Sequence, residues 1–194
     1  MLHIVRKSSY KAVPWKNGGG ITHEAMRVPA TGEAFRWRVS VAHIEASGPF
    51  SDFAQYSRTM VLLKGAGIEL RFANGELRQL RRVGELVQFD GANPVHCELL
   101  DGPCVDFNLM VEKLEPVDVR LSRLEAPLDV SASGDSSTLV FAIDRSIQVI
   151  DDTGEAATLE PWDLALLSQS SARLIALGPA SSALNSVLLA PLRD

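Results

Sequence analysis

The sequence predicts an all-β protein built from two related small units, each a β-barrel or a β-sandwich. Short segments of alternating apolar and polar residues are separated by glycine- and proline-rich turns along all 194 residues, and no long amphipathic helix is visible. The second half also repeats the order of the first, since Thr153-Gly154 follows the apolar run at Ile147 as Asn74-Gly75 follows the run at Ile68. Such a repeat favours two copies of one fold over a single irregular sheet, although the length alone allows either.

The predicted strands of the first unit follow one another at short intervals and end at Gly, Pro, Asn or Asp. Asn74-Gly75 favours a two-residue hairpin, because both residues accept positive φ. The predicted strands span residues 2–7, 21–28, 35–41, 58–64, 68–72, 76–80, 85–89, 95–100 and 104–111.

The boundary between the units is predicted between residues 113 and 130, where Pro116 and Pro127 interrupt a strand-like run. This boundary defines an N-terminal unit of residues 1–112 and a C-terminal unit of residues 113–194. Residues 117–121 alternate, so part of the connection is itself a candidate strand exchanged between the two sheets. A turn or two of helix is expected only in the Ala- and Ser-rich residues 179–184.

The strand at residues 35–41 separates its side chains by chemical type. Trp37 and Val39 lie on one face, whereas Arg36, Arg38 and Ser40 lie on the other. On an ordinary sheet the arginine face would be solvated. Inside the mouth of a barrel it would form an anion-binding wall, because guanidinium groups pair with carboxylates in a bidentate way. The pattern of the strand leaves both interpretations open.

The most unusual stretch is residues 14–24, which read Pro-Trp-Lys-Asn-Gly-Gly-Gly-Ile-Thr-His-Glu. Successive glycines are kept where the backbone needs positive φ or a close approach to another group. Lys16, Asn17, Thr22 and Glu24 would then surround exposed backbone amides with donors and acceptors, as in a binding loop. The alternative is a simple glycine-rich crossing between two strands, with Trp15 in the core.

Two familiar glycine motifs do not fit this stretch. In a phosphate-binding P-loop a lysine follows the glycines and a helix begins there, whereas here Lys16 precedes the glycines and a strand follows. No G-x-G-x-x-G opens a helix either, so a dinucleotide site is not indicated. Nucleotide binding is therefore not predicted.

A family resemblance rests on polar, aromatic and glycine positions that occur in one order. They are Trp15-Lys16-Asn17-Gly18 with Gly20, Thr22 and Glu24, then Trp37-Arg38 with Ser40, Gly48, Phe50, Ser51, Phe53, Arg58 and Gly65, and finally Asp106-Phe107-Asn108. With these residues the chain resembles the HutD/Ves family of bacterial bicupin-like β proteins, which are associated with histidine utilisation. The resemblance implies an RmlC-like cupin architecture. It runs from about Val13 to the end of the chain, but its distinctive motifs all precede residue 111.

Composition excludes several classes of protein. A net charge of −5 and a pI near 5.4 argue against a nucleic-acid binder, which usually carries a basic surface. No apolar run has the length of a signal-peptide core or a membrane span, so we expect a cytoplasmic protein without membrane association. Cys97 and Cys104 flank a turn. Buried free thiols are favoured over a disulfide, because a reducing cytoplasm disfavours the bond and cysteine packs well as a small buried hydrophobe. A zinc site is not indicated, because the pair lacks C-x-x-C spacing.

A metal centre is not predicted. Metal-dependent cupins arrange their ligands as His-x-His, then a glutamate and a later histidine. This chain has only His3, His23, His43 and His96, and none of them belongs to such a motif. No serine lies in a G-x-S-x-G elbow. We therefore expect no bound metal, no cofactor and no catalytic nucleophile.

The remaining interpretation is a recognition pocket in the N-terminal unit, with the C-terminal unit structural. Guanidinium groups, carboxamides and backbone amides around a small cavity favour a small carboxylate as the ligand. The family resemblance implies intermediates of histidine breakdown, such as urocanate or formylglutamate. The predicted ligand-binding residues are Trp15, Lys16, Asn17, Gly18, Thr22, Glu24, Arg38, Ser40, Arg58, Asp106 and Asn108.

Two of these residues are anionic and would repel such a ligand. We expect Glu24 and Asp106 each to be tied to an arginine or to a backbone amide.

Two classes of function stay open. The favoured one is a non-enzymatic binder of a small carboxylate that modulates histidine utilisation. The other is a metal-independent isomerase or lyase that uses Glu24 or His43 as a base. Unsealed edge strands would also be consistent with a homodimer.

Overall fold

The computed structural model describes residues 1–114, 117–178 and 187–193, and within them it contains nineteen β-strands, a short 3-10 helix at Lys7–Ser9 and no α-helix. The all-β prediction is confirmed. The strands are β1 (Leu2–Val5), β2 (Lys11–Pro14), β3 (Gly20–Val28), β4 (Trp37–Ile44), β5 (Gly48–Pro49), β6 (Tyr56–Lys64), β7 (Ile68–Phe72), β8 (Leu77–Leu80), β9 (Leu86–Asp90), β10 (Val95–Leu99), β11 (Cys104–Glu112), β12 (Arg120–Ser122), β13 (Leu128–Ser131), β14 (Ser136–Ala142), β15 (Ile147–Asp151), β16 (Ala156–Leu159), β17 (Leu164–Ser168), β18 (Ser171–Ala176) and β19 (Val187–Arg193).

The helical turns predicted at residues 179–184 lie outside the described residues. In the part of the chain that is described, no helix has the length and apolar character needed to cross a membrane.

The strands form two compact units, each with two antiparallel sheets. The pocket unit, Tyr10–Pro116, has a six-stranded sheet in the order β2-β3-β4-β11-β6-β9 and a four-stranded sheet in the order β5-β10-β7-β8. The second unit, Met1–Ser9 with Val117–Asp194, has a five-stranded sheet in the order β1-β17-β14-β19-β12 and a four-stranded sheet in the order β13-β18-β15-β16. The sheets do not close into barrels, so each unit is a sandwich.

The two units repeat the same strand connections, as the sequence predicts. The order β4-β11-β6-β9 in the pocket unit has its counterpart in β12-β19-β14-β17. The order β5-β10-β7-β8 has its counterpart in β13-β18-β15-β16. A strand-for-strand match of this kind indicates two copies of one fold.

The hairpin predicted at Asn74-Gly75 is present, but its loop has three residues instead of two. The amide of Phe72 donates to the carbonyl of Glu76, and the amide of Gly75 donates to the carbonyl of Phe72. Gly75 has a φ of 87°, whereas Asn74 does not adopt positive φ. This is a type I turn followed by a left-handed residue, the usual three-residue hairpin loop. The loop between β15 and β16 has the same geometry, with a φ of 87° at Gly154.

The first nine residues belong to the second unit, whereas the predicted N-terminal unit spans residues 1–112. β1 pairs with β17, with Leu2 opposite Leu167 and Ile4 opposite Ala165. Leu2 and Ile4 pack against the apolar core of the second unit. The alternation of a terminal strand shows which face is buried but not which sheet edge accepts it, so this assignment needs the tertiary structure.

Each sandwich encloses its own apolar core. Cys97 and Cys104 lie in the core of the pocket unit as free, buried thiols, as predicted. Other core residues of that unit are Ile44, Met60, Leu62, Ile68, Leu70, Phe72, Leu80, Val87 and Val95. The core of the second unit includes Val140, Ala142, Ile147, Val149, Leu159, Ala165, Leu167, Leu174 and Val187.

Asp163 fixes the segment after β1 in the second unit, and replacing it with alanine is expected to destabilise that unit. Its carboxylate is 2% exposed and accepts hydrogen bonds from Arg6 Nη1 at 2.8 Å, from the Lys7 amide at 2.8 Å and from the Glu160 amide at 3.1 Å. Asp163→Ala leaves these donors without their acceptor, which should lower the free energy of unfolding by about 2–4 kcal/mol. Urea denaturation measures this loss.

The control is Asp129→Ala, which removes an exposed carboxylate whose partner, Arg173, is also exposed. Exposed ion pairs contribute little to stability, so this variant should unfold like the wild type. Equal midpoints for the two variants would contradict the anchoring role of Asp163.

Candidate functional site

One face of the six-stranded sheet forms the floor of a cavity of ≈ 490 Å³ in the pocket unit. Its walls come from the hairpin between β2 and β3 and from the loop between β5 and β6. The lining residues are Val13, Pro14, Trp15, Lys16, Asn17, Thr22, Glu24, Arg38, Ala42, Pro49, Phe50, Ser51, Phe53, Arg58, Met60, Asp106, Asn108 and Met110.

The register of three central strands explains why residues far apart in sequence meet at this floor. Arg38 on β4 and Arg58 on β6 both lie opposite Met110 on β11. Asn108 and Asp106 precede Met110 on β11 by two and four residues, and therefore share its face. The two guanidinium groups, the carboxamide and the carboxyl group thus face the same space.

Most of the predicted binding residues reach the cavity. Gly18 and Ser40 do not line it. Gly18 lies in the hairpin loop with a φ of 71°. Ser40 lies on β4, opposite Glu24 on β3 and Asn108 on β11, and is fully buried. Its Oγ has no hydrogen-bond partner among the described residues. The residues that do line the cavity are Trp15, Lys16, Asn17, Thr22, Glu24, Arg38, Arg58, Asp106 and Asn108.

The three glycines shape the hairpin instead of offering free amides to a ligand. The Gly18 amide donates to the Trp15 carbonyl at 3.0 Å, and the Gly19 amide donates to Asn17 Oδ1 at 3.0 Å. Gly20 allows a close approach, since a Cβ there would lie 2.3 Å from a carbonyl oxygen of β4. The expectation of exposed amides at Gly18 and Gly19 is therefore wrong, because the turn uses these donors itself. The loop contributes side chains to the cavity.

Trp15 forms the aromatic part of this wall. Its Nε1 donates to Thr22 Oγ1 at 2.8 Å, and its ring meets Phe50 edge to face, with the ring centroids 6.0 Å apart. The hydrogen bond satisfies the indole N–H, and the ring contact joins the hairpin to the loop on the other side of the cavity.

Arg58 is a buried cation at the floor. It is 6% exposed, its Nη2 lies 3.5 Å from Asn108 Oδ1, and its Nε has no hydrogen-bond partner among the described residues. The guanidinium carbon lies 5.2 Å from the ring centroid of Phe50 and 5.0 Å from that of Phe89. Aromatic rings stabilise the cation but do not replace its hydrogen bonds. An anion in the cavity would supply them.

Arg58 and Asp106 are both buried, yet they do not form an ion pair within the described part of the chain. Burial lowers the pKa of Arg58 to about 10, although the nearby Asp106 opposes this shift. Burial also raises the pKa of Asp106 to about 7, against the opposing effect of Arg58. Asp106 is 2% exposed, and its Oδ1 has no hydrogen-bond partner in the described residues. Asp106 thus has no arginine ion pair among the described residues, but its carboxyl group has the backbone-amide partner that was the other expectation, because its own N–H donates to it.

Arg38 is less buried than Arg58, and its positive charge is partly compensated by a carboxylate. Its Nε lies 4.0 Å from Glu24 Oε2, and its guanidinium carbon lies 5.4 Å from the ring centroids of Phe35 and Phe53. Burial lowers the pKa of Arg38, while Glu24 opposes the shift. Glu24 thus has the arginine partner that was predicted for it.

Two residues that the sequence associated with the site lie elsewhere. Arg36 is exposed and precedes β4, so the second guanidinium of the cavity comes from Arg58 on a different strand. His43 alternates with the cavity-lining Ala42 and therefore faces the opposite side of the sheet, where its ring lies 5.0 Å from that of His23. A role for His43 as a base in this cavity does not agree with this geometry.

Four apolar residues of the lining are absent from the predicted site. Phe50, Phe53, Met60 and Met110 all line the cavity, and the rings of the two phenylalanines lie against the two guanidinium groups. The motif Gly48-x-Phe50-Ser51-x-Phe53 was the available signal, because two phenylalanines in a short loop beside proline and glycine need an apolar surface to cover.

The histidines do not converge on a metal site in the described residues. Within those residues, no group of three or more His, Cys, Asp or Glu side chains is arranged to hold a metal ion. His23 and His43 form a pair, and burial, followed by repulsion from His23, lowers the pKa of His43. His96 is exposed and lies 3.6 Å from Glu98.

Comparison with known proteins decides the family. The model of the HutD family matches residues 7–184 of the chain. The chain belongs to the HutD family. An uncharacterised 21.2 kDa protein from the hutC 3′ region of Pseudomonas putida is 36% identical over 149 residues, which cover 76% of this chain and 77% of that protein.

Two solved structures extend the match over the whole HutD-family chain. A conserved protein of unknown function from Pseudomonas aeruginosa PAO1 has a TM-score of 0.86 at 32% identity, covering 100% of this chain and 99% of the other. HutD from Pseudomonas fluorescens SBW25 has a TM-score of 0.81 at 30% identity, covering 100% of both chains.

A more distant match identifies the fold. A cupin 2 conserved barrel domain protein from Leptotrichia buccalis has a TM-score of 0.58 at 9% identity, covering 95% of this chain and 96% of the other. This HutD-family chain is therefore a cupin-fold protein. The gene context of the P. putida relative links the family to histidine utilisation.

Asp106 is expected to make this protein less stable as the pH rises from about 4 to about 7. An unfolded aspartate loses its proton near pH 4, whereas burial raises the pKa of folded Asp106 to about 7. The folded state therefore binds more protons than the unfolded state in this window, and the free energy of unfolding falls with rising pH, by on the order of 4 kcal/mol. Asp106→Asn removes this contribution.

Urea denaturation at several pH values tests the effect. As the pH rises from about 4 to about 8, the free energy of unfolding of Asp106→Asn should increase relative to that of the wild type. Asp129→Asn, which removes an exposed carboxylate bonded to Arg173, should show no such shift over this range. Parallel pH profiles for Asp106→Asn and the wild type would contradict the burial effect at Asp106.

Proposed function

We propose that this protein binds a small carboxylate in the cavity of the pocket unit, does not alter it chemically, and modulates histidine utilisation through this binding. Urocanate and formylglutamate are the candidate ligands. The observation that carries the proposal is the buried guanidinium group of Arg58, which lacks a full set of hydrogen bonds and faces a cavity. A carboxylate is the group that a guanidinium binds best.

The charges around the cavity favour an anion. Lys16, Arg38 and Arg58 are cationic, and Glu24 compensates only Arg38, at a distance of 4.0 Å. Asp106 is partly protonated at neutral pH because burial raises its pKa to about 7. The lining therefore carries a net positive charge that a carboxylate would neutralise.

The volume of the cavity suits a small molecule. At ≈ 490 Å³ it falls in the range of about 300–1,000 Å³ typical of ligand sites. Its aromatic and thioether walls are apolar, and a few polar groups at the floor would orient the ligand. HutD from P. fluorescens was solved in a formate condition, and formate belongs to the same chemical class.

Among the described residues of the second unit, the strands equivalent to those of the cavity supply no comparable site. On β19, Leu189 lies opposite Val140, as Asn108 lies opposite Met60 in the pocket unit. Val187, two residues before Leu189, is part of the apolar core. Apolar side chains thus replace the polar groups of β11, which supports a structural role for the second unit.

Arg38→Ala is expected to weaken binding of urocanate or formylglutamate by about 10- to 150-fold, or about 1.5–3 kcal/mol, which is the scale of a hydrogen bond to a charged group. Isothermal titration calorimetry measures this loss. The matched control is Arg36→Ala, which removes an exposed guanidinium two residues away and should leave the affinity unchanged. Equal affinities for the wild type and Arg38→Ala would remove this arginine from the proposed site.

A catalytic function is the second candidate, and one observation favours it. Asp106 is a carboxyl group inside a cavity with a pKa raised by burial to about 7, which suits a general acid or base. An isomerase or lyase would then use Asp106 or Glu24, since His43 faces away. Incubation with the candidate acids, with and without added divalent metal, distinguishes the two functions, because only an enzyme changes the acid.

A further inference from the structure

We infer that the carboxyl group of Asp106 is a hydrogen-bond donor to the bound anion, and that binding is linked to the uptake of one proton at this residue. This inference rests on the proposed binding of a carboxylate and specifies its chemistry. The ligand class is an anion whose carboxylate has one oxygen for a guanidinium and a second oxygen for a protonated carboxyl group.

The position of Asp106 carries the inference. Asp106 lines the cavity and is 2% exposed, and its Oδ1 has no hydrogen-bond partner among the described residues. A buried polar atom without a partner is costly and rare in folded proteins. Here the atom belongs to a cavity-lining residue, so a ligand is the natural source of the missing partner.

The charged and titratable groups that face Asp106 come from several strands. Arg58 on β6 and Arg38 on β4 are cationic, and Glu24 Oε2 on β3 lies 4.0 Å from Arg38 Nε. Cys97 on β10 is neutral, because burial raises the pKa of its thiol to about 12. Arg58 is therefore the main group that stabilises an ionised Asp106, and it does not overcome the cost of burial.

Binding of an anion changes this balance. When a ligand carboxylate pairs with Arg58, the charge that favoured ionised Asp106 is neutralised, and a second negative charge has been placed in the same cavity. Two buried carboxyl groups close together cannot both ionise, so one of them holds a proton. Asp106 then becomes protonated, and its O–H donates to the second oxygen of the ligand.

The experiment uses formylglutamate as the probe, because neither of its carboxyl groups titrates above about pH 6, whereas the imidazole of urocanate does. Calorimetric titrations in buffers with different heats of ionisation give the number of protons taken up. At about pH 8.5 we expect close to one proton per ligand, and at about pH 5.5 close to none. The affinity should fall about tenfold per pH unit once the pH exceeds the pKa of the free site.

Asp106→Asn keeps the shape of the side chain but carries no titratable proton. Its affinity for formylglutamate should not change between about pH 6 and pH 9, and binding should take up no proton. Glu24→Gln, which removes the carboxylate paired with Arg38, should retain the proton uptake. Proton uptake that persists in Asp106→Asn, or that is missing in the wild type at all pH values, would overturn the inference while leaving carboxylate binding intact.

A measurement without ligand separates this inference from the proposed function. The infrared carbonyl band of a protonated carboxyl group, taken as wild type minus Asp106→Asn, should titrate with a midpoint near pH 7. A midpoint below about pH 5 would overturn the role of Asp106 as a donor, whether or not any carboxylate binds. A midpoint near 7 in a protein that binds no carboxylate would contradict the proposed function while supporting Asp106 as a donor.

Discussion

Arg58→Met is expected to reduce the affinity for a small carboxylate by about 100-fold. The guanidinium of Arg58 is buried and incompletely hydrogen-bonded, so a ligand carboxylate would be its main partner. Methionine keeps an unbranched apolar chain against the rings of Phe50 and Phe89. The neighbouring Asp106 can hold a proton, so the loss of the cation leaves no uncompensated charge and the fold should persist.

Calorimetric titration of folded Arg58→Met tests this expectation, with near-ultraviolet circular dichroism as the check on folding. Arg71→Met is the matched control, because Arg71 lies on β7, is exposed and contacts Glu69 at 2.7 Å outside the cavity. The control should bind like the wild type. A folded Arg58→Met protein with unchanged affinity would place the carboxylate elsewhere.

Gly20→Ala is expected to lower the free energy of unfolding by about 2–3 kcal/mol and to impair ligand binding as well. A Cβ at Gly20 would lie 2.3 Å from the carbonyl oxygen of His43 and 3.2 Å from the ring of Trp15. The backbone of β3 must therefore move away from that of β4 at this position. Because Trp15 and Thr22 are part of the same hairpin, their wall of the cavity would be displaced.

The control for this steric effect is Gly48→Ala. Gly48 also lies in a strand of the pocket unit, has no positive φ, and has open space where a Cβ would be placed. Urea denaturation should therefore show a small change for Gly48→Ala and a large one for Gly20→Ala. Similar small changes for both would mean that the hairpin adapts to the added methyl group.

Alternation predicted β7, whereas two strands that lack a single buried face, β2 and β14, were not predicted. β7 alternates strictly between buried and less buried residues and was predicted with its bounds. β2 is exposed along its whole length, and β14 is buried on nearly every residue, so neither shows a period of two. Periodicity in sequence reports a difference between two faces, and these strands have none.

Several cavity residues could be predicted because they lie in one glycine-rich stretch. Trp15, Asn17 and Thr22 lie in one short stretch whose glycines already indicate a special loop. Phe50 and Phe53 come from another loop, and their role depends on Arg38 and Arg58, which they cover only after the strands pair. The sequence alone therefore does not show whether an aromatic residue in a loop lines a cavity, because this depends on its neighbours in the folded protein.

The sequence by itself determined the all-β class, the repeated order of strands and turns, and the polar residue types available for a site, because these depend on local pattern and backbone preference. Only the tertiary structure decided that β1 completes the second unit and that Arg38, Arg58 and Asp106 face one cavity. Only the structure decided that burial raises the pKa of Asp106 to about 7. The reason is that strand register and burial are set by segments far apart in the chain, and the cost of a buried charge depends on all of them together.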